Sequence, residues 1–277
     1  MGFFVPHSAQ AQAQNQAAAK PQLNVWIEIE PNDTIVIRYA RAEMGQGSMT
    51  SAPMIIAEEL EADWKKVKVL QAHLDTKKYD RQLTGGSGAV PHSWERLRKA
   101  GATAKFMLTE AAAKKWGVSA STLKAENGKV INPANGKSLT YGELANDAAL
   151  IPVPTDVKLK DKKDFKLIGT AVSNVDNKEM VTGKPLYGLD FYREGILHAV
   201  ITRPESFGMK LKSVDSVAAK ALPGIVDVVT FKNNVAVVGK STWEVLKARK
   251  ALKIEYEKEG NIESTSDHDR IFKELLD

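Results

Sequence analysis

Hydrophobic positions change their period along this chain, and the changes mark its elements. Val25, Ile27 and Ile29 alternate with polar neighbours over residues 24–30, and Thr34 to Tyr39 repeats the alternation after Pro31-Asn-Asp33, which predicts a β-hairpin. Ile56, Ala57, Leu60 and Trp64 then recur at helical spacing. A helix is expected there, capped by Thr50 or Ser51, with Pro53 tolerated early and an end near Trp64. Val67 to Ala72 reads as the next strand. Ser93 is expected to cap a long helix whose buried face carries Trp94, Leu97, Gly101, Ala104, Leu108 and Ala111 and which stops at Trp116-Gly117. Asn127-Gly128 predicts a hairpin turn, Asn135-Gly136 a second bend, and Thr140 with Glu143 a capping box.

Ile151-Pro-Val-Pro154 and the run Lys158 to Lys166, in which lysines alternate with Asp161 and Asp164, predict a solvated linker over residues 151–166. Beyond it, strands are expected at Tyr187–Tyr192, Ile196–Ile201, Val226–Phe231, Val235–Val238 and Leu252–Tyr256. Short helices are expected at Val214–Leu222 and from a Ser241 cap to Lys250, so this is an α+β domain. After Glu259 the chain turns polar and ends in a helical pattern, Asp267 to Leu276; residues 259–277 are expected to begin a longer continuation.

Candidate chemistry sits where the second strand ends. In Met44-Gly-Gln-Gly47 the two glycines permit positive φ and close approach of a ligand to backbone N–H groups, and the Gln46 amide suits a heterocycle or an oxo group. A helix N-terminus follows, which favours phosphate or another anion. Taken alone, this pattern is more often a turn that joins strand to helix and binds nothing. Thr84-Gly-Gly-Ser-Gly88 is a second such loop ahead of a second helix, and the pair points to one extended phosphate-bearing ligand. Asp190, Glu194, Arg203, Glu205 and Asp215 are scattered among turns and strand ends and make no catalytic constellation.

Composition narrows the choice. The formal charge of +5 divides into +3 over residues 1–150 and +2 over the rest, a diffuse excess that argues against a nucleic-acid partner. The chain has no cysteine, so disulfides, thiolate metal sites and iron–sulfur ligation are excluded within it, and any redox cluster belongs to another polypeptide. The five histidines show no metal-ligand spacing. No apolar run is long enough to span a membrane. Residues 1–21 open with Phe3-Phe-Val5 and continue through Ala9-Gln-Ala11, like the tail of an export signal, which predicts a periplasmic protein; the alternative is an Ala/Gln leader on a cytoplasmic one that starts at Met1.

Met44-Gly-Gln-Gly47, Ala57-Glu-Glu-Leu60, Thr84-Gly-Gly-Ser87, Ser93-Trp-Glu95 and Ala100-Gly-Ala102 together resemble the molybdopterin-binding large subunits of the xanthine dehydrogenase and aldehyde oxidase family, those of isoquinoline 1-oxidoreductases above all. Val181-Thr-Gly-Lys-Pro-Leu-Tyr-Gly-Leu-Asp190, Leu197-His-Ala-Val200, Arg203-Pro204 and Pro223-Gly-Ile-Val226 resemble that family's hammerhead domain. The resemblance implies an α+β chain in which residues 22–150 are the N-terminal part of the cofactor domain and 167–258 the hammerhead. It implies a hydroxylase that adds water-derived oxygen to an aldehyde or N-heterocycle. Its cofactor would be molybdopterin in the cytosine dinucleotide form, with molybdenum held by the pterin dithiolene. Its partners would be a small iron–sulfur subunit, the remainder of the large subunit and a cytochrome acceptor.

Residue by residue, it implies that Met44, Gly45, Gln46 and Gly47 contact the pterin and that Thr84, Gly85, Gly86 and Ser87 contact the phosphate portion. Two departures stand out. Gly88-Ala-Val-Pro91 replaces the Ser and Arg usual in relatives, and the family's catalytic glutamate has no counterpart in these 277 residues. Glu43 matches no catalytic motif and is not assigned that role. The isolated chain is therefore expected to be inactive. A non-catalytic scaffold or assembly protein with the same fold is the alternative.

Overall fold

Parallel pairing of two strands sets the geometry of the first half of the molecule. The computed structural model describes residues 23–184, 187–260 and 262–276, and the chain forms two compact units that divide between Pro185 and Leu186. The expected leader lies outside the described residues, as do Pro185 and Leu186 of the Val181–Asp190 motif.

The first unit contains β1 (Ile27–Ile29), β2 (Ile35–Tyr39), α1 (Ser48–Leu60), β3 (Val67–Gln71), α2 (Thr76–Tyr79), α3 (Trp94–Trp116), β4 (Lys124–Glu126), β5 (Lys129–Ile131), β6 (Ser138–Thr140), α4 (Tyr141–Ala149) and α5 (Asn177–Val181). β1 and β2 form the expected hairpin, Ile27 opposite Ile37, and β3 joins β2 in parallel with Val67 opposite Ile35. The crossover between the parallel strands is α1, as such a connection needs a helix. β4, β5 and β6 make a separate antiparallel sheet, turned at Asn127-Gly128, and the capping box of α4 forms as expected.

Two details of α1 differ from expectation. It starts at Ser48 behind left-handed Gly47, with no side-chain cap; the Thr50 hydroxyl instead accepts from the Val175 N–H at 3.0 Å, and the Ser51 hydroxyl donates back to the Gly47 carbonyl. It ends at Leu60, because Glu61 turns left-handed, and Trp64 falls in a 3-10 turn capped by Asp63. Nor is only one stripe of α1 covered: nearly every residue from Ala52 to Leu60 is buried. α3 packs directly against α1 at Gly101, where a Cβ would stand 2.4 Å from the Ile56 carbonyl oxygen. That contact admits no side chain.

The segment expected to be a solvated linker is bound to the first unit. Glu58 and Glu59, 2% and 0% exposed, lie near the end of α1 and need partners. Lys160 donates to Glu58 from its ammonium at 2.5 Å and to Glu59 from its backbone at 2.9 Å, while Lys166, Leu167 and Ile168 give Glu58 their backbone N–H groups. Arg98 from α3 pairs with Glu59 at 2.6 Å and also donates to the Lys160 carbonyl. Burial raises the Glu58 pKa, but these donors outweigh it and hold the carboxyl below its usual range. Lysine–aspartate alternation resembles a solvated face because the acids that claim Lys160 lie about a hundred residues away in the chain.

The second unit contains β7 (His198–Thr202), β8 (Met209–Asp215), α6 (Val217–Lys220), β9 (Ile225–Phe231), β10 (Asn234–Gly239), α7 (Thr242–Arg249), β11 (Lys253–Lys258) and α8 (Thr265–Leu276). Its strands pair as β7-β10-β9 and β11-β8, all antiparallel. Val237, Val245, Ala219 and Ala248 form its small core, and Ser241 caps α7 as expected. Residues 187–192 form a turn, not the expected strand. β8 is hard to see in the sequence, because its start at Met209 has alternating lysines and no β-branched residue before Val214.

Candidate functional site

Parallel strands end on the same side of a sheet, so the chain leaving β2 at Tyr39 and the chain leaving β3 at Gln71 emerge side by side. The first carries Met44–Gly47 and the second carries Thr84–Ser87. Side chains lace them together residue by residue. Gln82 Nε2 donates to the Ala40 carbonyl at 3.1 Å, Arg41 donates to the Leu83 carbonyl, and Thr84 Oγ1 donates to the Ala42 carbonyl at 2.9 Å. Arg41, 3% exposed, also reaches Ser93 Oγ at 3.2 Å and so fixes the start of α3.

Both glycine loops consequently border one cleft of about 370 Å³, with Met44, Gln46, Ser48 and Ser51 on one side and residues 84–90 on the other. All eight expected site residues lie at this cleft or in the loops that frame it. A larger hollow of about 650 Å³ lies elsewhere in the first unit, around Lys105 and Leu123, away from both loops.

The first loop is closed on itself. Glu43 accepts from the N–H groups of Gly45 at 2.7 Å, Gly47 at 3.0 Å and Met49 at 2.8 Å. Its carboxylate thus takes the donors that a helix start and a glycine turn were expected to offer a ligand. Burial raises the Glu43 pKa, yet the three N–H donors outweigh it and bring the carboxyl below its ordinary value. Gln46 is held just as firmly: its Oε1 accepts from Met44 N at 2.6 Å, and its Nε2 donates to Ser48 Oγ at 2.6 Å and the Ala42 carbonyl at 3.2 Å. Ser48 Oγ is in turn the acceptor for the Tyr39 hydroxyl at 2.6 Å. Gly45 and Gly47, at φ 97° and 79°, supply the left-handed turns that bring this ring of bonds together.

The second loop is open. Gly86 and Ser87 have φ of 60° and 53°, and among the described residues nothing accepts from the N–H groups of Gly85, Gly86 or Ser87. A Cβ built on Gly85 or Gly86 meets no atom within 4 Å. Three adjacent free donors before an open space fit an anionic oxygen. Gly88 closes the loop: its N–H donates to the Gly85 carbonyl, and the His92 ring occupies the place of its missing Cβ.

Among the described residues, no side chain lining the cleft is titratable. Its residues can bind, orient and exclude water, and its hydroxyls can donate or accept hydrogen bonds. Among the described residues no cluster of three His, Asp or Glu side chains could hold a metal. The residues that sequence reasoning passes over are Tyr39, Arg41, Ser48 and Gln82, and Glu43 is considered there only as a catalytic base and given no structural task. The one available signal is a carboxylate two and four residues ahead of Gly45 and Gly47, the spacing at which it can gather their N–H groups.

Residues 3–191 match the molybdopterin cofactor-binding domain family. The chain is 32% identical over 279 aligned residues to the beta chain of isoquinoline 1-oxidoreductase from Brevundimonas diminuta, covering 87% of this chain and 36% of that protein. It is 31% identical to the membrane-bound, pyrroloquinoline-quinone aldehyde dehydrogenase of Gluconacetobacter polyoxogenes, covering 84% and 31%, and 29% identical to a nicotinate dehydrogenase subunit of Pseudomonas putida, covering 85% and 20%. It thus spans about a third or less of the length of these relatives.

Proposed function

Because this chain belongs to the molybdopterin cofactor-binding domain family, as residues 3–191 establish, we propose that its two laced loops form the cofactor-gripping part of a molybdenum hydroxylase large subunit. The observation that carries the reading is the run of three N–H groups at Gly85, Gly86 and Ser87, without an acceptor among the described residues, in a loop lining the cleft that Gln46 borders. These donors hold the phosphate portion of a pterin dinucleotide, in the cytosine form. Met44 and Gln46 border the pterin end. There the Gln46 amide exchanges its bonds to Met44 and Ser48 for the ligand, while Glu43 keeps Gly45, Gly47 and Met49 in place. When bound, the cofactor supplies transfer of a water-derived oxygen to the substrate and takes up two electrons. Among the described residues that line this cleft none is an Asp, Glu, His or Lys, so the base that assists the chemistry comes from another part of the enzyme.

The similarity to proteins named for isoquinoline, aldehyde and nicotinate oxidation supports an N-heterocycle or an aldehyde as substrate. The absence of cysteine supports an iron–sulfur subunit as the electron acceptor. On the motifs alone, we assign residues 167–258 to the hammerhead and read the opening residues as the tail of an export signal of a periplasmic enzyme.

Co-expressed with the remainder of a large subunit and an iron–sulfur subunit, the chain should purify with molybdenum and release a cytidine nucleotide on denaturation. Gly86→Val should lose both while circular dichroism stays unchanged. A folded wild-type complex with neither molybdenum nor nucleotide would overturn the proposal. The self-saturated first loop would then favour a non-catalytic scaffold.

A further inference from the structure

The hollow of about 650 Å³ in the first unit is walled by α3, by residues 120–125 and by residues 156–158. Ala102, Lys105, Phe106 and Thr109 recur at helical spacing, so one face of α3 lines it. Leu123 stands on a second wall, and the bonds from Lys160 to Glu58 and Glu59 fix the chain just beyond the third. Lys105 is half-buried there. Among the described residues its ammonium makes no hydrogen bond and no ion pair, and it is not one of the fully enclosed polar atoms left without a partner, so a small molecule can reach it.

The acids nearest Lys105 are already claimed. Glu58 and Glu61 pair with Lys160, Glu59 pairs with Arg98, and Glu61 also pairs with Lys166. Glu110 and Asp156 border the hollow beside Lys124 and Lys158, and neither forms an ion pair with Lys105. Burial draws the Lys105 ammonium below the ordinary lysine range, Lys160 adds to the effect, and Glu59, Glu61 and Glu58 do not offset it. An amine that gives up its proton readily is a nucleophile for a carbonyl carbon, and Phe106 and Leu123 offer an aromatic ring an apolar surface to lie against. We propose that Lys105 captures a small aromatic aldehyde in this hollow as a reversible imine. The amine nitrogen attacks the carbonyl carbon, a C=N bond replaces C=O, and the carbonyl oxygen leaves as water with the two amine protons. No oxidant or reductant takes part. The proposal is independent of what the glycine loops bind.

The test uses the full 277-residue chain, treated with benzaldehyde and cyanoborohydride near neutral pH, which reduces the imine to a stable benzylamine, and then digested for peptide mass spectrometry. Lys105 should gain benzyl groups several-fold faster than the exposed Lys129 and Lys137; an equal or slower rate would overturn the site. With formaldehyde, which is too small to gain from the apolar walls, the preference for Lys105 should shrink. An unchanged preference would mean a reactive amine with no place for a ring, and would also overturn it. Phe106→Ala, at a side chain already 38% exposed, should leave circular dichroism unchanged and lose the extra preference for benzaldehyde; a folded variant that keeps it would count against the site. If that variant does not fold, the two aldehydes on the wild-type chain decide.

Discussion

Two loops leave the same end of one sheet, each with a pair of glycines, and differ in what has happened to their backbone donors. In Met44–Gly47 the donors are taken by Glu43 and the glutamine is tied to Met44, Ala42 and Ser48. In Thr84–Ser87 three consecutive N–H groups, those of residues 85–87, have no acceptor among the described residues. Glycine supplies the same conformational licence in both places. What saturates the donors of the first loop is a single carboxylate, Glu43, within its reach. A glycine-rich motif is therefore evidence for a turn, and evidence for a ligand only when no neighbouring side chain has claimed the turn's donors.

The strongest way to break the comparison is to separate the loops. Arg41 is buried, and it connects the exit of β2 both to Leu83, just before the second loop, and to Ser93 at the start of α3. Arg41→Met keeps much of the stem's volume and leaves the Leu83 carbonyl and Ser93 hydroxyl without their donor. The expected loss is about 3 kcal/mol, read from urea unfolding. Hydrogen exchange should quicken at both loops together. Exchange confined to one loop would mean that Gln82 and Thr84 suffice as the lacing.

Next in size is the conversion of the closed loop into an open one. Glu43→Gln retains shape but loses the charge that three N–H groups converge on, at a cost of about 2 kcal/mol. It also frees donors, so the variant should bind sulfate at the first loop where the wild type does not, seen as sulfate-dependent shifts of the Gly45 and Gly47 amide signals. Acid should do the same reversibly. The Glu43 pKa is lowered by folding, so its contribution is complete above the unfolded glutamate value near 4.5 and disappears as pH falls through the lower folded value. The amides of residues 45–49 should lose protection in that window, and amides 85–87, which have no carboxylate acceptor, should not follow them. Loss at both loops at one pH would show that Glu43 supports the whole cleft.

Much of this arrangement is legible in the sequence, and the part that is not has a common cause. Local periods predict the β1–β2 hairpin, α3 with its Gly117 stop and the α4 capping box, because each depends on neighbours within a few residues. The two loops can be named from glycines and helix starts alone. Their convergence depends on the parallel register of β2 and β3, which no local pattern states. The polar partners escape notice for the same reason: Glu58 finds its donors at residues 160–168, Thr50 finds Val175, and Arg41 finds Leu83. Thr50 and Lys160 each have a plausible local role, as cap and as solvated charge, and long-range contacts override both. Family likeness names the loops and withholds a catalytic role from Glu43, but only the hydrogen bonds give that residue its task.

The smallest effect sharpens the comparison most, because it isolates space from strain within the open loop. Gly85 has no positive φ and Gly86 has φ 60°, while a Cβ at either meets nothing within 4 Å. Gly86→Ala should therefore cost about 1 kcal/mol from backbone strain alone, a fall of about 3 °C in melting temperature for a chain of this size. Gly85→Ala should be neutral or stabilising by about 0.5 kcal/mol, since alanine restricts the unfolded chain without straining the folded one. Both methyl groups nevertheless project into the region that a bound anion would approach. If the free N–H groups are a binding surface, the two variants should lose nucleotide retention alike while differing in stability. If retention followed stability instead, the open loop would be no more than a turn, and the contrast with the first loop would be one of conformation only.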